Sequence, residues 1–224
     1  MDSRDVVQAN GERAMTEIHQ LPADDRKVFF DEAAQKLGIV FSIIEKDFWV
    51  VWILERLFSL DELKTHLTFK GGTSLSKVYG LIERFSEDID VSIEKDFLGY
   101  GSPEKDPEKA ASGKKQQAAL EGLSKACANY VQNEMATALK RNIAESLGTE
   151  DGWQLVPDDK DSQALIFEYP NITPRGQYIH QAVKIEMGAR SEHWPISQHK
   201  VQSFVKQALP DKVTETEFKI RVLN

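Results

Sequence analysis

The chain has a single cysteine, Cys127, in 224 residues. That excludes an internal disulfide framework and a zinc cluster built on cysteine. Cys127 falls within a helical pattern, where a small buried thiol is the expected role. Long apolar runs are also missing. The longest, "FWVVWIL" at 48–54, is too short to span a bilayer, and "MDSRDVVQANGERAM" at the start has no apolar core of signal-peptide length. The expectation is a cytoplasmic protein with no membrane partner. Positive charge is in short supply as well: the formal net charge is -8. Coating of nucleic acid by bulk attraction is thereby excluded, so any contact with a polyanion must be local.

What is present sorts by period. The length suits one domain with elaborations, over 1–224. Residues 1–60 read as a helical N-terminal part, with a break at "QLPADD", a helix from Ala23 to Leu37 ended by Gly38, and another from about Ser42 to Leu60. The latter carries Phe48, Trp49, Val51, Trp52, Leu54, Leu57 and Phe58, too many large apolar groups for a solvent-facing helix. Glu45, Lys46 and Asp47 are expected at its exposed first turn. Residues 61–99 and 153–224 carry the strand-like segments: "HLTFK" at 66–70, "DIDVSIE" at 88–94, "WQLVP" at 153–157, "ALIFEYP" at 164–170, "HQAVKIEMGA" at 180–189 and the closing "EFKIRVLN". Between them, 100–152 reads as a mobile loop to Lys115 followed by a long amphipathic helix, or a broken pair, over 116–147. "TPRGQ" at 173–177 reads as a turn. Histidines 193 and 199 fall in "EHWPISQHK", read as a loop where surface histidines are the ordinary case.

The chemistry concentrates in "FKGGTSLSKVYGLIERFSEDIDVSI" at 69–93. In a strand, Asp88, Asp90 and Ser92 share one face while Ile89, Val91 and Ile93 take the other. Two carboxylates held side by side repel unless a cation sits between them. Mg²⁺ favours hard oxygen ligands and is commonly shared between one or two carboxylates and substrate phosphates. Upstream, Gly71 and Gly72 would let backbone amides approach a phosphate, and the following helix, read over 73–82, would point its free N–H groups there. Thr73, Ser74 and Ser76 add hydroxyls, and Lys70 and Lys77 offer charge, although Lys77 reads equally well as solvated. The spacing is not that of a P-loop, because Ser76 stands where a glycine should precede the lysine. A glycine pair alone is ordinary turn chemistry, and an Asp-x-Asp alone is ordinarily solvated. Their order along the chain, strand, Gly-Gly, helix, Asp-x-Asp strand, is what points to a site. A third carboxylate is expected on a nearby strand, and in "QAVKIEMGA" the polar face holds Lys184 and Glu186. The competing reading makes these two the exposed half of a half-buried strand. Glu83 and Glu87 read as solvated.

"KGGTSLSK" followed by "RFSEDIDVSI" resembles the signature of the nucleotidyltransferases of the AbiEii/AbiGii toxin family. "EKDFW" at 45–49 and "VKIEMGAR" at 183–190 have counterparts there too, so the resemblance covers roughly 40–222. It implies an α+β, polymerase-beta-like nucleotidyltransferase fold, a mixed sheet flanked by helices. It further implies Mg²⁺-dependent transfer, with two ions, of a nucleoside monophosphate from an NTP, with tRNA as an acceptor in a toxin–antitoxin or abortive-infection setting and a cognate antitoxin as partner. On the matching positions, Asp88, Asp90 and Glu186 would hold metal, Lys184 would assist the chemistry, and Gly71, Gly72, Thr73 and Ser74 would bind the triphosphate. Arg84 and Ser86 would lie beside the nucleotide. No general base is evident, which leaves deprotonation of the acceptor to the metal or to Glu186. Longer relatives continue into a C-terminal helical region where this chain stops at Asn224, so an apolar surface is expected to be covered by a partner or by self-association. Two other readings stay open on the residues: a small-molecule or protein hydroxyl as acceptor, and a nucleotide-binding module without turnover.

Overall fold

The computed structural model describes residues 17–78, 87–172, 181–190, 195–215 and 218–223. Seven strands form one mixed sheet in the order β3-β4-β5-β2-β1-β7-β6. They are β1 (Leu67–Lys70), β2 (Ile89–Ile93), β3 (Gln154–Pro157), β4 (Ala164–Glu168), β5 (Ala182–Gly188), β6 (Ile196–Val201) and β7 (Phe218–Leu223). β2 and β5 pair parallel, as do β1 and β7, and the other pairings are antiparallel. With the helices around it, this is the expected α+β architecture with a mixed sheet.

Alternation gives the sheet two unlike faces. Phe69, Val91, Ile89, Ile185, Leu165, Phe167 and Val183 are all fully buried, and their registers place them on one face. Helix α2 (Phe41–Phe58) packs there. Its Trp49 ring stacks on Tyr169 with 5.7 Å between centroids, and Trp52 stacks on Phe167 at 5.8 Å. Buried aromatics of this size dominate core energetics. Helix α1 (Ala23–Leu37) covers α2 and ends at Gly38, whose φ of 66° is the left-handed cap that favours glycine. Residues 113–147 are helical throughout: α4 (Gly113–Tyr130), a π-helical turn over Val131–Met135, and α5 (Ala136–Leu147). Cys127 is buried in that stretch, and burial pushes its thiol up to about 11.

Several expectations are corrected. The segment read as a loop over 100–115 is turns up to Ser112 and helix from Gly113: the buried Asp106 carboxylate accepts from Lys95 Nζ at 2.8 Å and from the Glu108 amide at 3.0 Å, closing a 3₁₀ turn over Pro107–Lys109. "ISQHK" is not loop but strand β6, which pairs with β7 along its whole length and seats His199 opposite Ile220. A short helix, α6 (Phe204–Ala208), follows it. Helix α3 (Gly71–Lys77) starts on the first glycine rather than after the second. His193 and the "TPRGQ" turn lie outside the described residues.

The largest correction concerns Glu45, Lys46 and Asp47. They are not exposed but 1%, 1% and 0% accessible. Successive helical residues point about 100° apart, so each reaches a different neighbour. Glu45 accepts the amide of Ile172 beyond β4. Lys46 pairs with Glu87, just ahead of β2. Asp47 pairs with Lys77 at the end of α3 and accepts the Phe204 amide of α6 at 2.7 Å. Lys77 is therefore not solvated, its side chain being 7% exposed, and its ammonium lies over the Phe204 ring at 3.9 Å. Glu87 remains partly open to solvent but is held by Lys46.

Breaking one partner of a buried ion pair strands the other charge. Asp47→Ala should therefore lower unfolding free energy by about 3–5 kcal/mol in urea titrations, whereas Asp47→Leu combined with Lys77→Met should cost clearly less than the two single changes summed.

Candidate active site

Strand register assembles the site on the second face of the sheet. Lys70 pairs with Asp90, and Asp90 with Glu186, so three charged side chains stand in one row across β1, β2 and β5. Lys184 lies two residues back along β5 on the same face. Asp88 is the exposed residue just before β2, within electrostatic reach of Lys184, Glu186 and Lys46. Ser92 shares this face but is fully buried, donating to the Gly188 carbonyl at 3.2 Å.

The glycine turn meets the acidic strand directly. Gly71 has φ of 74°, and a Cβ there would collide with the carboxylate of Asp90. Only glycine suits both the conformation and the space. Thr73 Oγ1 donates to the Asp88 carbonyl, and Ser74 Oγ donates to the Gly71 carbonyl at 2.9 Å. The hydroxyls of Thr73 and Ser74 thus brace the turn and the start of β2. Both residues are buried, while Gly71 and Gly72 are the more accessible part of the turn.

The electrostatics are those of crowded anions. Lost hydration raises the Asp90 carboxyl above its ordinary value, and its hydrogen bond with Glu186 raises it further. Asp88 is raised in the same way: though exposed, it is partly desolvated by surrounding protein, and it feels the charge of Glu186. Glu186 moves the other way because Lys184 Nζ lies 2.6 Å from its Oε1. Burial and this contact thus favour the protonated form at Asp90, while Lys184 favours the ionised form at Glu186. Lys184 is raised, first by Glu186 and also by Asp158, whose Oδ2 lies 3.2 Å from its ammonium.

Asp158 drew no reading in sequence, whereas Lys46 and Asp47 were read as exposed although they fall in the family-like "EKDFW" stretch. Asp158 sits in the turn between β3 and β4, far from any motif. The signal for Lys46 and Asp47 was available, since three consecutive charges interrupt an otherwise apolar helix. Arg84 and Ser86 lie outside the described residues.

Among the described residues, no three His, Cys, Asp or Glu side chains stand arranged as a metal cage. The adjacent Asp90 and Glu186, with Asp88 nearby, nonetheless fit a hard divalent cation: they are oxygen donors crowded onto one face, with Lys184 and Lys70 as nearby positive charges. One or two carboxylates are what Mg²⁺ takes from protein when phosphates complete its shell.

A family model described as nucleotidyl transferase AbiEii toxin, type IV toxin–antitoxin system, matches residues 52–224. The match takes in the glycine turn, the acidic strand and β5, and begins beyond "EKDFW". No curated protein matches the chain. Among solved structures, the nucleotidyltransferase toxin MenT4 of Mycobacterium tuberculosis is 16% identical over 87% of this chain, with a TM-score of 0.45. The chain spans about half of that protein's length, 54%.

Two outcomes are expected. Gly71→Ala, strained at positive φ and pressed onto Asp90, should lose about 1–2 kcal/mol of stability, read by chemical denaturation. Asp88 and Asp90 bind protons more tightly folded than unfolded. Their favourable contribution is therefore complete below the ordinary aspartate value of 3.8 and is lost as pH rises through the raised folded values. Asp90→Asn should then raise the thermal midpoint relative to wild type at neutral pH without added metal, and the difference should shrink toward acid.

Proposed function

The chain belongs to the AbiEii family of nucleotidyl transferase toxins of type IV toxin–antitoxin systems, and we propose that it transfers a nucleoside monophosphate from an NTP to a hydroxyl of tRNA. The observation that carries this reading is the row Lys70, Asp90, Glu186, with Asp88 beside it and the Gly71 turn pressed against Asp90. A backbone turn that an anion could approach and carboxylates that could take a cation thus meet on one face of the sheet, which is what a triphosphate carrying a metal requires.

In the reaction, the acceptor oxygen forms a bond to the α-phosphorus, the bond from that phosphorus to the bridging oxygen breaks, and pyrophosphate leaves. Gly71 and Gly72 present backbone to the triphosphate, and Thr73 and Ser74 hold that turn in shape. Lys70 and Lys184 stand where negative charge develops, and fixed cations there stabilise the transition state. Arg84 and Ser86 are assigned to the nucleotide side of the site. The hydroxyl proton would be lost to Glu186 or, with the metal's help, to solvent. Mg²⁺ held by Asp88, Asp90 and Glu186, as two ions, would neutralise the triphosphate and activate the acceptor oxygen. A cognate antitoxin is the partner that family membership brings with it.

The test incubates the purified chain with Mg²⁺, each α-labelled NTP in turn, and total RNA or a protein extract. Label should appear in tRNA-sized RNA from one or two NTPs, and Asp88→Ala should reduce it by about 10²-fold or more. Label in protein, or in a small molecule, would replace the tRNA acceptor while keeping the reaction. Full transfer by Asp88→Ala would overturn the site.

A further inference from the structure

Lys184 is bound twice. Its ammonium lies 2.6 Å from Glu186 on its own strand and 3.2 Å from Asp158 in the β3–β4 turn. These are its two ion-pair partners among the described residues. The Glu186 contact is at odds with the role proposed for Glu186, because an ammonium and a divalent cation cannot share one carboxylate without strong repulsion. If Glu186 engages a cation, Lys184 must give it up, and a lysine released with four rotatable side-chain bonds would swing into solvent and lose its place over the site.

Asp158 is built to prevent that. Its other oxygen accepts the Lys160 amide at 2.9 Å, and its own amide donates to Ala164 at 3.0 Å. The same turn is fastened to β5, since the Met187 amide donates to the Gln163 carbonyl at 2.9 Å, and it is fastened to α4 through Gln163 and the Ser124 carbonyl, also at 2.9 Å. The carboxylate is thus fixed with respect to Lys184 independently of Glu186.

We propose that Asp158 is a positioning residue for Lys184: it is the anchor that retains the lysine over the site when Glu186 exchanges the ammonium for a divalent cation. This rests on the reading of Asp90 and Glu186 as cation ligands. In the resting protein Lys184 serves as the internal counter-ion of Glu186. Once a cation takes that place, the lysine, held by Asp158 alone, is left with donors free for a phosphate. Asp158 acts through Lys184 and touches no substrate.

The test measures binding of Mn²⁺ alone by electron paramagnetic resonance, with no nucleotide present. Asp158→Asn keeps the turn, because an amide oxygen also accepts from Lys160, but removes the competing anion and leaves Lys184 committed to Glu186. Its Mn²⁺ dissociation constant should rise about 10-fold, the range of a residue that orients a metal ligand. Lys184→Met should bind Mn²⁺ more tightly than wild type, and adding Asp158→Asn to Lys184→Met should change nothing further. Equal Mn²⁺ affinity in wild type and Asp158→Asn, with binding lost in Asp90→Asn, would overturn this inference and leave the site intact. A tenfold loss that persists in the Lys184→Met background would overturn it too, because Asp158 would then act without the lysine. Absence of Mn²⁺ binding by the wild-type chain would overturn the reading of the site along with it.

Discussion

Parallel pairing of β2 with β5 sets Asp90 directly beside Glu186, and a sheet can hold two carboxylates at that spacing only if something else answers the repulsion. A slip of one residue would relieve it by turning the acids into the core and the isoleucines out, at a far larger cost. The apolar face therefore enforces the register: Ile89 against Ile185 and Val91 against Met187 are both buried pairs. Charge crowding on one face is the consequence of packing on the other. Lys70 and Lys184 beside the acids, and the raised values of Asp90 and Asp88, are all responses to it.

Helix α2 is where the two faces are reconciled. Its aromatic residues cover the apolar side of the sheet, while Glu45, Lys46 and Asp47 reach three elements that border the site. Burying three charges in sequence is costly unless each finds a partner, and each does, on a different part of the chain. The positions of α3, of the approach to β2 and of the exit from β4 are consequently referred to one rigid helix. Burial raises the Asp47 carboxyl while Lys77 of α3 and the Phe204 amide of α6 pull it back, a balance that holds only while α3 and α6 are in place.

How far this was legible in the sequence depends on whether the signal was local. The 2-period of "DIDVSI" and of "VKIEMG" yields the strands, their faces and the residues that share them. The cap at Gly38 and the apolar load of α2 are equally local signals. The register that sets Asp90 opposite Glu186 is not, because it joins segments about a hundred positions apart, and only the expectation of a third carboxylate led to it. Glu45, Lys46 and Asp47 misled because acidic and basic residues near a helix start are ordinarily solvated. What buries them is tertiary contact with α3, α6 and the chain after β4. The proline, glycine and charge content of 100–112 did describe a stretch of turns, but not the buried Asp106 that fastens it to Lys95. "ISQHK" has little apolar content because β6 is an edge strand, and edges tolerate polar residues. Asp158 left no trace at all, since an aspartate in a hairpin turn needs no function to explain it.

The glycine turn shows how closely support and exposure are balanced. At Gly71 the backbone comes so near Asp90 that no side chain fits between them, so whatever reaches the carboxylate must do so from the open side, past the accessible glycines. The hydroxyls that might have faced a ligand, Thr73 and Ser74, are turned inward to the Asp88 and Gly71 carbonyls instead. At this turn the backbone is thereby the accessible part, and the two hydroxyls are its scaffold. Under the proposed function this arrangement would suit a phosphate, which backbone amides can bind regardless of what it is attached to. If the turn binds the triphosphate as proposed, nucleotide preference should be altered by changes outside it, because it would meet only the part that all NTPs have in common.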